Sequence, residues 1–340
     1  PITYDGNSAG SWGTGKGIID ADYELNAYII SVNASVAYVT FNNLEIRNAG
    51  GYAENDPIIA AAANGDYGTT GTYDGTNSIY TPRWGWGIYM GGPNSHVTLT
   101  DCYFHNIGIW QSTQGWDGRA VSGVGIYAQT QSNLTITGCE FTTMGATGIS
   151  LYTTGASSDV LISDCHFHDD IPAWGMDIAP TSASGASFTN LTITECRFID
   201  LWSDWSGTPD NPPTTTAPHQ NYIFMRTATN PCTWTNLEVS RCLFYESSDT
   251  HTGLGGTGSI FISNGPSLNI YNNLFARPWS YTGVIVVGYD VPVGTTQTVR
   301  IYNNPFLRGS GTTINSNGAT SGGGTRYLYV ENNILINDTG

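Results

Sequence analysis

NLTITECRF occupies residues 190–198, and a near copy, NLTITGCEF, occupies 133–141. Leu191 and Ile193 alternate with Thr192 and Thr194, the period-two pattern of a strand with one buried face. Relaxing the pattern finds VTLTDCYF (97–104), VLISDCHF (160–167), LEVSRCLF (237–244), LNIYNNLF (268–275), VRIYNNPF (299–306) and LYVENNIL (328–335). VTFNNL (39–44) fits as a shortened first copy. The shared template is apolar-x-apolar-x-x-(Cys/Asn)-x-apolar. Its Cys/Asn slot falls on Asn42, Cys102, Cys139, Cys165, Cys196, Cys242, Asn273, Asn304 and Asn333. The last four are 31, 31 and 29 residues apart. A unit of about 30 residues with variable insertions is the signature of a solenoid.

Each copy reads as a short strand, a two-residue corner and a second short strand. A third strand, usually flagged by Gly, lies between copies: WGIYM (86–90), VGIYA (124–128), TGISLY (147–152), WGMDIA (174–179), NYIFM (221–225), GSIFI (258–262) and TGVIVV (282–287). Three short strands per unit joined by turn residues predict an all-β chain, a single three-sided parallel β-helix of about nine coils spanning 1–340. Long insertions fall at about 50–85, 106–122 and 202–220. The slot residue is expected to turn the corner, with Asn taking a left-handed backbone and stacked Asn bonding up the ladder. Cys in that slot would be a small buried residue, stacked at the strand spacing of about 4.8 Å.

The segments PITYDGN, WGTGKGIIDA and NNLEIRNAGG, with the repeat itself, resemble the right-handed parallel β-helix (pectate-lyase-like) superfamily of secreted proteins. That resemblance covers nearly the whole chain and implies a right-handed coil. The superfamily holds polysaccharide lyases, glycoside hydrolases, tailspikes and adhesins, so the fold leaves the activity open. Two enzyme patterns that it implies are not met. The only lysine, Lys16, stands in the first coil, and the polygalacturonase-like series of Asn-Thr-Asp, Asp-Asp, His-Gly and Arg-x-Lys strings is absent.

The net charge of −16 repels nucleic acid and anionic lipid, and no apolar run approaches a membrane span. Scarce lysine, abundant Tyr and Trp, and sequons at Asn33, Asn133, Asn190 and Asn337 suggest an extracellular or cell-surface glycoprotein. The start at Pro1 suggests a mature chain or a segment of a longer precursor. Five cysteines sit in the ladder. Cys232 does not, and a disulfide from it to Cys242 or to Cys196 is the pairing that chain proximity offers.

Chemistry is expected on the loops and on one exposed strand face. Trp110, Trp116, Trp174, Trp202 and Trp205 could form a wall against which sugar rings stack. Asp177, placed outward by alternation, could act as acid or base with Asp169 or Asp170. Arg226, one coil on, could bind a substrate carboxylate. Acidic loops could also hold Ca²⁺, though no cofactor is demanded. Equally, the Trp could pack loops onto the coil and the Asp could cap turns. Predicted outward positions on the Gly-flagged strands are Tyr89, Tyr127, Ser150, Asp177, Phe224 and Phe261, of which only Asp177 is a carboxylate.

Neither end of the chain carries a capping pattern, and open coil ends invite pairing. Two functions follow. One is an extracellular structural or adhesive module that self-associates into a surface fibre or sheath through its uncapped ends or its aromatic loops, with copies of itself or flanking domains as partners. The other is a carbohydrate-active enzyme, a hydrolase or lyase, with polysaccharide in an Asp/Trp-lined cleft.

Overall fold

A computed structural model of the chain describes residues 1–10, 15–21, 28–33, 35–49, 85–108, 123–169, 171, 173–180, 185–201, 220–226, 232–247, 256–263, 267–277, 283–288, 291, 294–307, 313–316 and 323–336. The described strands form three all-parallel sheets of ten, ten and nine strands, and the chain visits them in strict rotation. The first sheet starts with Ile2–Asp5 and ends with Thr325–Glu331. The second runs from Gly17–Asp20 to Ile334–Ile336, and the third from Tyr28–Asn33 to Ile314–Ser316. This is a three-sided parallel β-helix. A tenth coil precedes the nine copies visible as repeats, because Ile2–Asp5 pairs with Ala37–Asn42 without carrying the template.

The register explains the opening stretch. Leu134 pairs with Val160, and Val160 pairs with Leu191, so the two near-identical sequences lie two coils apart on the same sheet. Repeated sequence reflects a repeated environment: Leu134, Ile136, Leu191 and Ile193 all point into one continuous core.

Corners between the first and second sheets are left-handed, but one residue earlier than expected. Asp101 (φ 52°), Asp164 (φ 50°), Asn272 (φ 56°) and Asn303 (φ 56°) make the turn. The following Cys or Asn then points inward and is buried. Asn42 does not belong to this ladder. It pairs with Thr100, and the pairing of Glu45 with Tyr103 puts Leu44 in the slot of Cys102. The Asn half of the column is keyed by side chains. Asn273 and Asn304 each accept from the backbone N–H of the slot residue one coil earlier, Cys242 and Asn273, at 2.9 Å. Asn333 accepts from Asn304 N–H at 2.9 Å. The Nδ2 groups of Asn273 and Asn304 donate back into carbonyls of the preceding coil at 3.0 and 3.1 Å.

A second column fills the core beside it. Phe104, Phe141, Phe167, Phe198, Phe244, Phe275 and Phe306 stack with centroids 4.7–5.0 Å apart and planes within 7° of parallel. The Gly flags exist because of it. A Cβ on Gly148 would lie 2.7 Å from the Phe167 ring, and one on Gly175 would lie 2.9 Å from the Phe198 ring. One coil beyond Gly175 the slot holds Tyr222, fully buried, which tilts against Phe198 and Phe244 and donates its hydroxyl to Tyr245 O at 3.1 Å.

Candidate functional site

The outward row of the third sheet has the composition that alternation predicts. Pairing runs Ser31, Tyr89, Tyr127, Ser150, Asp177, Phe224, Phe261, Val286, Asn315, one residue per coil. The row is not bare, however: Ser150, Asp177, Phe261 and Val286 are buried although they face away from the coil interior.

Asp177, on Trp174–Pro180, is only 5% exposed and is held by Arg226 at the end of Gln220–Arg226. Nε donates to Oδ1 at 3.1 Å and Nη2 to Oδ2 at 2.9 Å. Arg226 lies 5.5 Å from the ring centroids of both Trp174 and Phe224, which stack on each other at 5.5 Å. The Asp177 charge raises the Arg226 pKa, so the guanidinium stays charged. Trp174 Nε1 is buried with no hydrogen-bond partner among the described residues. Arg226, expected to bind a substrate carboxylate, is paired with a carboxylate of the chain itself, because a guanidinium two residues along the next coil can reach diagonally back to Asp177.

Toward the start of the chain the face becomes a column of rings. Tyr89 is stacked between Tyr28 at 5.0 Å and Tyr127 at 5.3 Å, and Tyr152 follows Tyr127 at 6.0 Å. Stacked along the coil axis, these rings spend their faces on one another and present edges outward. Burial pushes the Tyr127 hydroxyl well above its ordinary pKa.

A family model described as the right-handed β-helix region matches residues 28–204. The chain belongs to the right-handed β-helix family. Among solved structures it is similar to the GH136 lacto-N-biosidase from Eubacterium ramulus, at 14% identity and TM-score 0.49, over 96% of this chain and 57% of that one. It is also similar to PfbA, a surface protein and adhesin of Streptococcus pneumoniae, at 11% identity and TM-score 0.36, over 95% and 85%. A third is the Family 28 exopolygalacturonase of Yersinia enterocolitica, at 10% identity and TM-score 0.30, over 92% and 64%. The chain thus spans 57% of the lacto-N-biosidase it resembles. No curated protein matches it.

Asp169 is not gathered with Asp177. It follows the second-sheet strand His166–His168, and its carboxylate sits 2.8 Å from His168 Nδ1. Asp170, Trp110, Trp116, Trp202, Trp205 and Asn337 lie outside the described residues, as do nearly all of the three insertions. Those insertions connect second-sheet to third-sheet strands, so all three leave from the same edge. Asn33, Asn133 and Asn190 are exposed. Asn190 bonds Asp159 Oδ1 at 2.7 Å and accepts from Asn236 at 3.0 Å, in an outer row of left-handed residues that includes Asn133. No group of three or more His, Cys, Asp or Glu side chains among the described residues is placed to hold a metal ion.

The cysteines are all free thiols. Cys232 precedes the eight-residue strand Thr233–Ser240, while Cys242 follows it, so roughly 25 Å of extended chain separates them. Cys196 follows Thr194, which pairs with Ser240 at that same far end, so neither disulfide can form. Burial pushes the Cys165 and Cys242 thiols well up and Cys232 up to about 12.

Proposed function

We propose that the chain is an extracellular structural or adhesive module whose end coils associate with end coils of further copies. The supporting observation is apolar exposure at both ends. The first coils expose Ile2 and Ile18 (56% and 55%) and frame an open cavity of about 750 Å³ lined by Ile19, Ile30, Val39 and Phe41, among others. The last coil exposes Tyr327, Ile334, Leu335 and Ile336, the latter three at 54–62%. Among the described residues the first and last strands of each sheet are paired on one side, in the same three-sheet arrangement, so one coil is a template for another. Each added backbone bond contributes about 0.5–1.5 kcal/mol net, besides apolar burial. Sedimentation velocity and electron microscopy of the purified chain test this. Concentration-dependent linear assemblies, reduced by Leu335→Lys with the fold intact, are expected. A chain that stays monomeric at every concentration would falsify the reading.

A second reading, a carbohydrate-active enzyme, is favoured by one observation: a buried carboxylate beside Trp174, clamped by a guanidinium whose side chain is 42% exposed. There the Asp177–Arg226 pair would anchor substrate, with Trp174 and the insertion Trp at its border. A glycan-degradation screen with Asp177→Asn as control separates the two, because that change should leave end-to-end association untouched.

A further inference from the structure

The outer face of the first sheet lies away from the Asp177 region, and pairing sets two rows on it, one residue per coil. One runs Thr40, Thr98, Thr135, Leu161, Thr192, and the row two residues along runs Asn42, Thr100, Thr137, Ser163, Thr194. They stand on five consecutive strands, from Ala37–Asn42 to Ser187–Thr194. Seven of these ten residues are Thr and none is charged. The pattern stops one coil later, where Glu238 takes the place of Thr192. The strand propensity of Thr does not account for it. On the same coils the outer face of the second sheet carries Glu45, Arg47, His105, Glu140, His166 and Arg197.

The rows form a grid whose spacing is fixed by the backbone. Coils repeat at 4.7–5.0 Å, as the stacked Phe rings show. In the second row the hydroxyls align with the coil axis: Ser163 Oγ donates to Thr137 Oγ1 at 3.0 Å, and the Thr194 and Ser240 hydroxyls lie 3.1 Å apart. In the first row the hydroxyls of Thr40, Thr98, Thr135 and Thr192 bond no other described residue. Left-handed His96, Asn133, Asp159 and Asn190 border the grid, and the one charge there is met by Asn190 Nδ2 on Asp159 Oδ1 at 2.7 Å.

Such a grid matches a lattice of hydrogen-bonded water. Two waters bonded at about 2.75 Å to a common tetrahedral third lie about 4.5 Å apart, close to the coil repeat. Along a strand two residues span about 6.6 Å, within about a tenth of the ~7.3 Å repeat of ice along its hexagonal axis, eight-thirds of the same bond. We propose that this face adsorbs to the surface of ice, with the first-row hydroxyls standing in for lattice waters and the Thr methyls seated between them. The absence of charge is part of the fit, since an ionised side chain holds a hydration shell of its own. Neither row offers an aromatic ring for a sugar to stack on, which favours ice over a crystalline polysaccharide. The surface is independent of either functional reading above.

The test is thermal hysteresis of the chain prepared free of glycan, read as the gap between the melting and freezing points of a seeded ice crystal. A gap that grows with protein concentration, with faceted crystals, is expected. Thr135→Lys places a charge at the centre of the grid and should shrink the gap several-fold at unchanged circular dichroism. Leu161→Thr completes the first row at an exposed position and should widen it. Arg197→Gln, on the second sheet, should leave it as it was. The absence of any gap in the unmodified chain overturns the proposal, as does an equal gap in Thr135→Lys. Retention on crystalline cellulose or chitin without activity on ice also overturns it and puts a polysaccharide in place of ice.

Discussion

Arg226 and Asp177 share two parallel hydrogen bonds across one coil boundary, at 3.1 and 2.9 Å, with the carboxylate buried and the guanidinium half-exposed. The pair fixes what the third-sheet face can do. Both carboxylate oxygens are engaged by the guanidinium, and removing that partner strands a buried charge. Arg226→Ala is therefore expected to destabilise the chain by about 3 kcal/mol, and Asp177→Asn by less, since the amide still offers an acceptor. Urea unfolding of the two variants side by side checks the order.

Core shape gives a sharper expectation. A methyl on Gly148 would meet the Phe167 ring at 2.7 Å and Gly175 O at 2.8 Å, and neither can yield without shifting a stacked column. Gly148→Ala should lose about 1–3 kcal/mol. Gly155→Ala, whose methyl would find only Thr130 Cγ2 at 3.6 Å, should be neutral or stabilising. Equal effects at both sites would contradict the column's rigidity.

Asn304→Ala removes a buried group that bonds Asn273 N–H, Ile270 O, Tyr302 O and Asn333 Oδ1 at 2.9–3.1 Å, the first two fully buried. With unmet buried partners at about 1–3 kcal/mol each, a loss of about 3 kcal/mol is expected, measured by the shift of the denaturation midpoint.

His166 sets an acid limit. Burial lowers its folded pKa below the ordinary imidazole value, so its share of stability is complete above about pH 6.5 and is lost as pH falls through the depressed folded value. His166→Phe should remove that loss, and its Tm relative to the unmodified chain should rise as the buffer is made more acid.

Thiol labelling separates the cysteines. In the native state only the half-buried Cys232 should react, and slowly, because its thiolate is scarce at neutral pH. All six should react once the chain is unfolded. Rapid native labelling of more than one thiol would show that the buried column is open.

The sequence exposed whatever recurs with the pleat. The row Tyr89, Tyr127, Ser150, Asp177, Phe224, Phe261 was legible because alternation and the Gly flags fix it independently. Asn42 was misplaced because two Asn adjoin there, and only pairing with Thr100 shows that the coil turns on Asn43. The Arg226–Asp177 grip was hidden, since a diagonal reach between coils leaves no mark in either strand's spacing. Cys232 misled for the opposite reason: nearness along an extended chain is distance in space. The Phe column had a signal that was available, the final apolar position of nearly every copy, and the Gly in the following strand was its complement.

The switch from Cys to Asn at residue 273 divides the solenoid into two grammars. Up to Cys242 the thiols reach the preceding coil only as donors to its carbonyls, at 3.6–4.0 Å, a weak contact that any Cys-bearing turn can make, so a whole turn could be duplicated or deleted there and the seam would close. Beyond it, each Asn must find the next, and every turn is committed to its successor. Lengthening of this protein over generations would therefore be easiest in its Cys-bearing coils, and its Asn-bearing coils would act as the fixed ruler.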